Sequence, residues 1–383
     1  MKVILLGYGK SIQSVEPFLI NDEVYIYDER VMSDKRYISL KYIKDNLPFF
    51  DLCIRSPGIS SNSEIYNLMK HLSKEVISEI EFGLRRIKTS HIIGITGSNG
   101  KTTLTSMIYH VLKSKYKTFM LGNCGVPLSS KINEIEKDDY VVLELSSFQL
   151  EDTYHLDFEI AIITNLSENH LNNVYSRDVY YASKLKLFNS SCPYKIYEDE
   201  NTLLSNYQKS EQKYHIFDNA TFNKHACTCL DVCKILGFNN EEVLKELSSF
   251  PFPRFRQEII RKNEYIFIND SKSTSLSATN ACLEEFKCNK RIIILGGINK
   301  SSSFKKLKVS KEDIIYTFGR DGESIQKEVG GLYFEKLDDV MHHISINKES
   351  KMIIFSPGCS SFDQYDNYIN RGEHFERLVN VWF

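Results

Sequence analysis

Short apolar runs recur along the chain at residues 3–6, 24–27, 52–54, 92–95, 141–143, 160–163, 265–268, 292–295, 314–318 and 352–355. Between them lie polar stretches with helical spacing. The runs are continuous, without the alternation of a strand that has one wet face, so both faces of each strand are expected to be covered. That pattern predicts parallel sheets flanked by helices, an α/β architecture. In such sheets the chemistry sits on loops at the carboxyl ends of the strands. The chemically distinctive segments of this chain fall there: 7–10, 28–30, 96–102, 269–274 and 356–361.

The sheets restart twice, near residues 88–90 and near Pro251 and Pro253, where prolines interrupt a helical stretch. Three domains are therefore expected, at 1–88, 89–251 and 252–383, within the 383 residues. Composition narrows the class. Apolar residues make up 42% of the chain and charged ones 26%, enough for packed cores and unlike a disordered chain. A net charge of −2 argues against a general pull toward nucleic acid. The opening Met1-Lys2-Val3-Ile4-Leu5-Leu6-Gly7 is too short in its apolar part for a secretory signal and reads as a buried first strand. No run reaches membrane-spanning length. Nine cysteines, an odd number without a framework, suit reduced thiols, so a cytoplasmic location is expected.

The strongest motif is Thr96-Gly97-Ser98-Asn99-Gly100-Lys101-Thr102-Thr103, between an apolar strand and a helical stretch. Small residues let backbone N–H groups turn inward, the helix start adds positive potential, and Lys101 neutralises phosphate. The Thr102 hydroxyl is the natural ligand for a magnesium ion. The strict phosphate-loop pattern asks for glycine where Ile95 stands, so the generic motif misses by one position while its working parts are all present. Further on, Glu144 ends a buried strand in Glu-Leu-Ser-Ser-Phe-Gln-Leu-Glu, and the next strand runs into Asn165 and His170. A carboxylate beside a nucleotide phosphate suits a hard cation. Taken alone, Glu144 reads equally well as a helix cap, and a lone histidine is more often structural.

The loop resembles that of the Mur ligase and folylpolyglutamate synthase superfamily, and the ordered blocks that follow resemble the Mur ligase family, with 144–151 closest to its D-glutamate-adding branch. That resemblance implies three domains: a Rossmann-like first domain, a central P-loop ATPase domain and a Rossmann-like last domain. It also implies a cytoplasmic monomeric enzyme of peptidoglycan precursor synthesis. ATP, UDP-N-acetylmuramoyl-L-alanine and D-glutamate would be its substrates, two Mg2+ ions its cofactor, and an acyl phosphate its intermediate.

Residue by residue, the resemblance assigns ATP to Gly97, Ser98, Asn99, Gly100, Lys101, Thr102, Thr103, Arg256 and Asp270. Metal would be held by Thr102, Glu144, His170 and Lys184 as its carbamate, and the catalytic set is Lys101, His170, Lys184 and Lys272. By pattern alone, Lys184 in Ala-Ser-Lys-Leu is a solvated helix lysine, and only the resemblance reverses that reading. Carbamylation requires a buried amine beside other cations. The UDP-muramoyl substrate falls to Gly7, Asp28, Glu29, Arg30 and Asn123, the last in Gly-Asn-Cys-Gly-Val-Pro and facing the muramoyl part. D-Glutamate falls to Thr274, Lys300, Ser361, Phe362 and Tyr368.

The chain departs from the family in places. Glu29 stands where a small hydroxyl residue is usual, Asn169 replaces an acidic residue, and Phe222, Asn223 and His225 occupy the expected adenine-contacting neighbourhood. His225 with Cys227, Cys229 and Cys233 invites a zinc reading, but the spacing fits no known zinc knuckle and buried thiols in a core are the simpler account. A sister ligase adding another amino acid, and a non-catalytic nucleotide binder, are the two rival readings.

Overall fold

The computed structural model describes residues 1–30, 33–166, 177–199, 201–211, 214–217, 220–252, 254–299 and 303–383. Three sheets follow one another along the chain. The first comprises β1 (Lys2–Leu6), β2 (Glu23–Tyr27), β3 (Leu52–Arg55) and β4 (Val76–Ser78) in the order β2-β1-β3-β4, all parallel. The second holds β5 (Ile92–Thr96), β6 (Thr118–Gly122), β7 (Tyr140–Glu144), β8 (Ile160–Ile163), β9 (Tyr194–Tyr197) and β10 (Gln208–Lys209). Its order is β10-β9-β8-β5-β7-β6, again parallel throughout. The third has β11 (Glu258–Lys262), β12 (Tyr265–Asn269), β13 (Ile292–Gly296), β14 (Ile314–Phe318), β15 (Leu332–Phe334) and β16 (Met352–Gly358) in the order β11-β12-β16-β13-β14-β15. Only its edge strand β11 runs antiparallel.

The continuous apolar runs are explained by cores on both sides of each sheet. In β8, Ile160 and Ile162 enter one core while Ala161 and Ile163 enter the other. In β13, Ile292 and Ile294 face one way and Ile293 and Leu295 the other. β1 does the same with Val3 and Leu5 against Ile4 and Leu6. Period-two geometry thus divides each run between two helical layers.

The chain separates into two compact units, residues 1–250 and 251–383. The first two sheets therefore share one unit, and within it Arg55 joins them. This side chain is buried at the end of β3; its Nε donates to Asp152 Oδ2 at 2.5 Å and its Nη2 to Glu151 Oε2 and the Phe148 carbonyl, both at 2.8 Å. Nη1 reaches the Ile59 carbonyl at 2.7 Å, and Tyr66 donates to the other oxygen of Asp152. Among the described residues no helix is long and apolar enough to cross a membrane.

Candidate active site

Strand order sets the site. β5 lies between β7 and β8, with Ile95 paired to Glu144 and Thr96 to Ile163. The loop leaving β5 therefore emerges with Glu144 on one side and Thr164 and Asn165 on the other. Those two residues brace it. The Thr164 hydroxyl donates to the Asn99 carbonyl at 2.6 Å, Asn165 Nδ2 to the same carbonyl at 3.1 Å, and Asn99 N–H to Asn165 Oδ1 at 3.0 Å. Gly97 is in the left-handed region at φ 147°, and a Cβ there would stand 1.9 Å from Thr164 Oγ1, so only glycine fits. Gly100, also left-handed, caps the helix Lys101–Leu112, whose twelve residues direct their positive end at the loop.

Two lysines converge on one carbonyl. Lys101 Nζ donates to the Gly97 carbonyl at 2.8 Å and to Ser98 O at 3.1 Å, and Lys184 Nζ donates to Gly97 O at 2.7 Å. Lys184, on the helix Arg177–Leu185, is 1% exposed. Burial pushes its amine well below the ordinary lysine range, the neighbouring Lys101 charge pushes the same way, and Glu144 opposes both. Tyr180, one turn earlier, donates its hydroxyl to Ser98 Oγ at 3.2 Å and lays its ring 4.6 Å from Lys184 Nζ.

Glu144 is buried at the end of β7. Its Oε1 accepts from Asn123 Nδ2 at 2.9 Å, and its Oε2 has no hydrogen-bond partner among the described residues. A buried carboxylate oxygen left open is costly, and a divalent cation is the group that fits it. A cavity of about 350 Å³ brings Ser98, Lys101, Asn123 and Lys184 together with Pro57 and Gly58 of the first sheet's β3 loop and with Ser146–Phe148. Ser146 opens the helix Ser147–Glu151 with a reciprocal capping box to Gln149, which fixes that wall.

The remaining predicted positions fall as follows. Gly7 hydrogen-bonds the Tyr27 carbonyl, and Asp28 accepts from Tyr8 N–H at 2.8 Å and Arg30 Nε at 2.9 Å, so Asp28 ties the glycine turn to an exposed arginine. Arg30 holds the Asp28 carboxyl well below the usual carboxylate range. Glu29 is exposed. Thr102 and Thr103 stand in the first turn of the phosphate-loop helix, Thr103 buried.

In the second unit, Arg256 sits between Phe255 and Gln257, two non-glycine residues at φ 61° and 53°. Buried Phe255 packs on Gly372, and Asp270 accepts from the Gln257 N–H at 3.2 Å and from Ser356 Oγ at 2.7 Å. Burial pushes the Asp270 carboxyl up to about 7. Lys272 Nζ lies 5.5 Å from the Tyr368 ring. Ser361 is buried, Thr274 half-buried and Phe362 exposed. Arg371, fully buried, stitches Ser271 to the Cys359 carbonyl. His170 and Lys300 lie outside the described residues.

Several positions escaped the sequence reading. Tyr180, Thr164 and Arg55 carry no motif, and nothing in the sequence singled them out. Asn165 carried a signal, its place at a strand end beside the loop, but its bracing role did not show. The account of buried thiols in a core holds: Cys229 and Cys233 meet in the core, and His225 bonds Glu198.

The fold and this loop define a phosphate-loop α/β enzyme acting on a nucleotide. The sequence pattern of the Mur ligase middle domain matches residues 95–235. The UDP-N-acetylmuramoylalanine–D-glutamate ligase of Francisella tularensis subsp. tularensis (strain SCHU S4) is 30% identical over 405 residues, covering 99% of this chain and 95% of that protein. The protein of the same name in Francisella philomiragia is 29% identical over 406 residues, covering 99% and 96%. Among solved structures, the MurF ligase of Thermotoga maritima in complex with ADP aligns with a TM-score of 0.60 at 16% identity, over 98% of this chain and 93% of that one. UDP-N-acetylmuramate-alanine ligase MurC of the same organism aligns at 0.57 and 18%, over 100% and 99%. The chain belongs to the Mur ligase family, ATP-dependent ligases of peptidoglycan precursor synthesis.

Proposed function

We propose that the chain joins D-glutamate to the alanyl carboxyl group of UDP-N-acetylmuramoyl-L-alanine, forming an amide while ATP becomes ADP and phosphate. The observation that carries the reading is the cluster around Gly97: a phosphate loop whose cavity is lined by Lys101 and the buried Lys184 amine, with the buried carboxylate of Glu144 held by Asn123 of the same cavity wall. The similarity of nearly the whole chain to D-glutamate ligases supports the choice of amino acid.

The alanyl carboxylate attacks the γ-phosphorus; the bond to the β-phosphate oxygen breaks, ADP leaves, and an acyl phosphate remains. The D-glutamate amine then attacks the acyl carbon, phosphate departs, and the ammonium proton is lost. The loop N–H groups and Lys101 hold and neutralise the transferring phosphoryl group, so the rate gain comes from positioning and charge. Thr102, Glu144 and a carbamate on Lys184 would hold Mg2+, with His170 completing the set; bound there, the ions supply charge neutralisation. In the second unit Arg256 serves phosphate, Asp270 the nucleotide ribose and Lys272 the reacting centre, while Thr274, Lys300, Ser361, the Phe362 backbone and Tyr368 serve D-glutamate. Gly7, Asp28, Glu29 and Arg30 serve the uridine nucleotide part of the UDP-muramoyl substrate, and Asn123 its muramoyl part. We read the enzyme as a cytoplasmic monomer.

The test is phosphate release by the purified chain with Mg-ATP. Release requiring both UDP-N-acetylmuramoyl-L-alanine and D-glutamate is the expected result. Equal release with another amino acid in place of D-glutamate would return the chain to a sister branch of the family.

A further inference from the structure

The ligase chemistry leaves one buried, titratable couple unused. Glu198, just past β9, accepts from or shares a proton with His225 Nδ1 at 2.8 Å, and the two side chains are 1% and 3% exposed. His225 belongs to the helix Ala220–Ile235. The opposite edge of its ring bears on the phosphate loop: a Cβ added at Gly100 would stand 2.5 Å from His225 Cε1 and 2.7 Å from Nε2. The ring therefore occupies the room that any side chain at position 100 would need.

Its surroundings leave the ring little freedom. Glu198 is anchored by its own N–H to the Ile163 carbonyl of β8, the strand that also delivers Thr164 and Asn165 to the loop. The neighbouring charges Lys224 and Asp199 pair with each other. Burying two polar groups is unfavourable unless they satisfy one another, and when they do they fix a single arrangement. Here that arrangement faces the left-handed residue from which the phosphate-loop helix begins.

We infer that the Glu198–His225 dyad seats the phosphate loop: Glu198 orients the ring through Nδ1, and the ring's far edge holds Gly100 so that the loop N–H groups converge on the nucleotide's phosphates. Thr164 and Asn165 brace the loop at Asn99; the dyad braces it one residue later. His225 is thus a positioning residue for nucleotide binding, and this role rests on the loop being the nucleotide site.

The test uses the full chain and measures KM for ATP, KM for the uridine substrate, and the rise in melting temperature produced by Mg-ATP. His225→Ala and Glu198→Ala are expected to raise KM for ATP by about tenfold, the scale of one lost orienting hydrogen bond. They should shrink the ATP-induced melting shift and leave KM for the uridine substrate within about twofold. Glu198→Gln keeps the volume and an acceptor for Nδ1–H and should stay near wild type, whereas Glu198→Leu keeps volume without an acceptor and should behave like Glu198→Ala; a merely space-filling Glu198 would leave Glu198→Leu near wild type. In a Gly100→Ala background, His225→Ala should recover part of the lost ATP binding. An unchanged KM for ATP and melting shift in His225→Ala overturns the dyad's role alone. Absence of any ATP-induced shift in the unaltered chain overturns the nucleotide reading and the dyad with it. If the alanine variants do not fold, His225→Asn is read by the same criteria.

Discussion

At the scale of single residues, the chain holds groups that the fold keeps at a cost to stability. Lys184 is the clearest. Its amine is driven toward the neutral form, so between its lowered folded value and the ordinary lysine range the unfolded chain carries a proton that the folded chain has given up, and stability rises with pH across that window. Lys184→Met removes that penalty. It should melt higher than wild type at pH 7, with the gain shrinking as pH rises toward 10, and lose at least about a hundredfold in turnover, the trade expected of a functional rather than a structural residue. A lower melting temperature together with retained turnover would contradict the assignment. Asp270 has the opposite slope. From pH about 4 to about 7 the folded chain keeps a proton that the unfolded chain has released, so stability falls across that interval by up to about 1.4 kcal/mol per pH unit. Asp270→Asn should flatten it in a series of melting curves. Lys184 also marks the limit of sequence reading. Its helical spacing describes a solvated side chain, and only the resemblance pointed inward; burial depends on which face of the helix Arg177–Leu185 the fold covers, which spacing alone does not fix.

At the scale of elements, the phosphate loop was legible because its chemistry is local: small residues, a lysine and a threonine in sequence between a strand and a helix. What holds it in shape was not, because Thr164 and Asn165 reach it from β8 some 65 positions later. Gly97→Ala exposes the dependence. Its Cβ would collide with the Thr164 hydroxyl, so the substitution should abolish ATP binding in a nucleotide titration while the rest of the sheet, whose core lies below the loop, keeps its far-ultraviolet circular dichroism. Strands follow the same logic. All ten apolar runs form strands, whereas β4, β6, β9, β10, β11 and β15 went unread. Five of those six lie at sheet edges: β10 is exposed throughout and β11 alternates exposed with half-buried positions, so their apolar signal fades, while β4 is buried but only three residues long.

At the scale of the molecule, the restarts of the apolar runs pointed to three sheets, and three are present; which of them share a unit could not be read from the runs. One tie between the first two sheets is a buried arginine network whose partners lie 96 and 97 positions apart in sequence. Nothing in the neighbourhood of Arg55 announces Glu151 and Asp152. A buried ion pair is a poor source of net stability compared with apolar packing, yet removing one partner strands the other charge, which typically costs about 3–5 kcal/mol. Here two carboxylates and two carbonyls would be stranded together. Calorimetry of the full chain should therefore show two transitions, one for residues 1–250 and one for 251–383, with Mg-ATP raising the first. Arg55→Met should lower that same transition and leave the other in place. Because Arg55 also carries the Ile59 carbonyl, and with it the loop bearing Pro57 and Gly58 in the cavity wall, the loss should reach function selectively. In whatever fraction remains folded, KM for the uridine substrate should rise more than KM for ATP, whose loop is braced from β8 and not from β3. Equal increases in both would mean that Arg55 holds the unit together without shaping the substrate's side of the cavity.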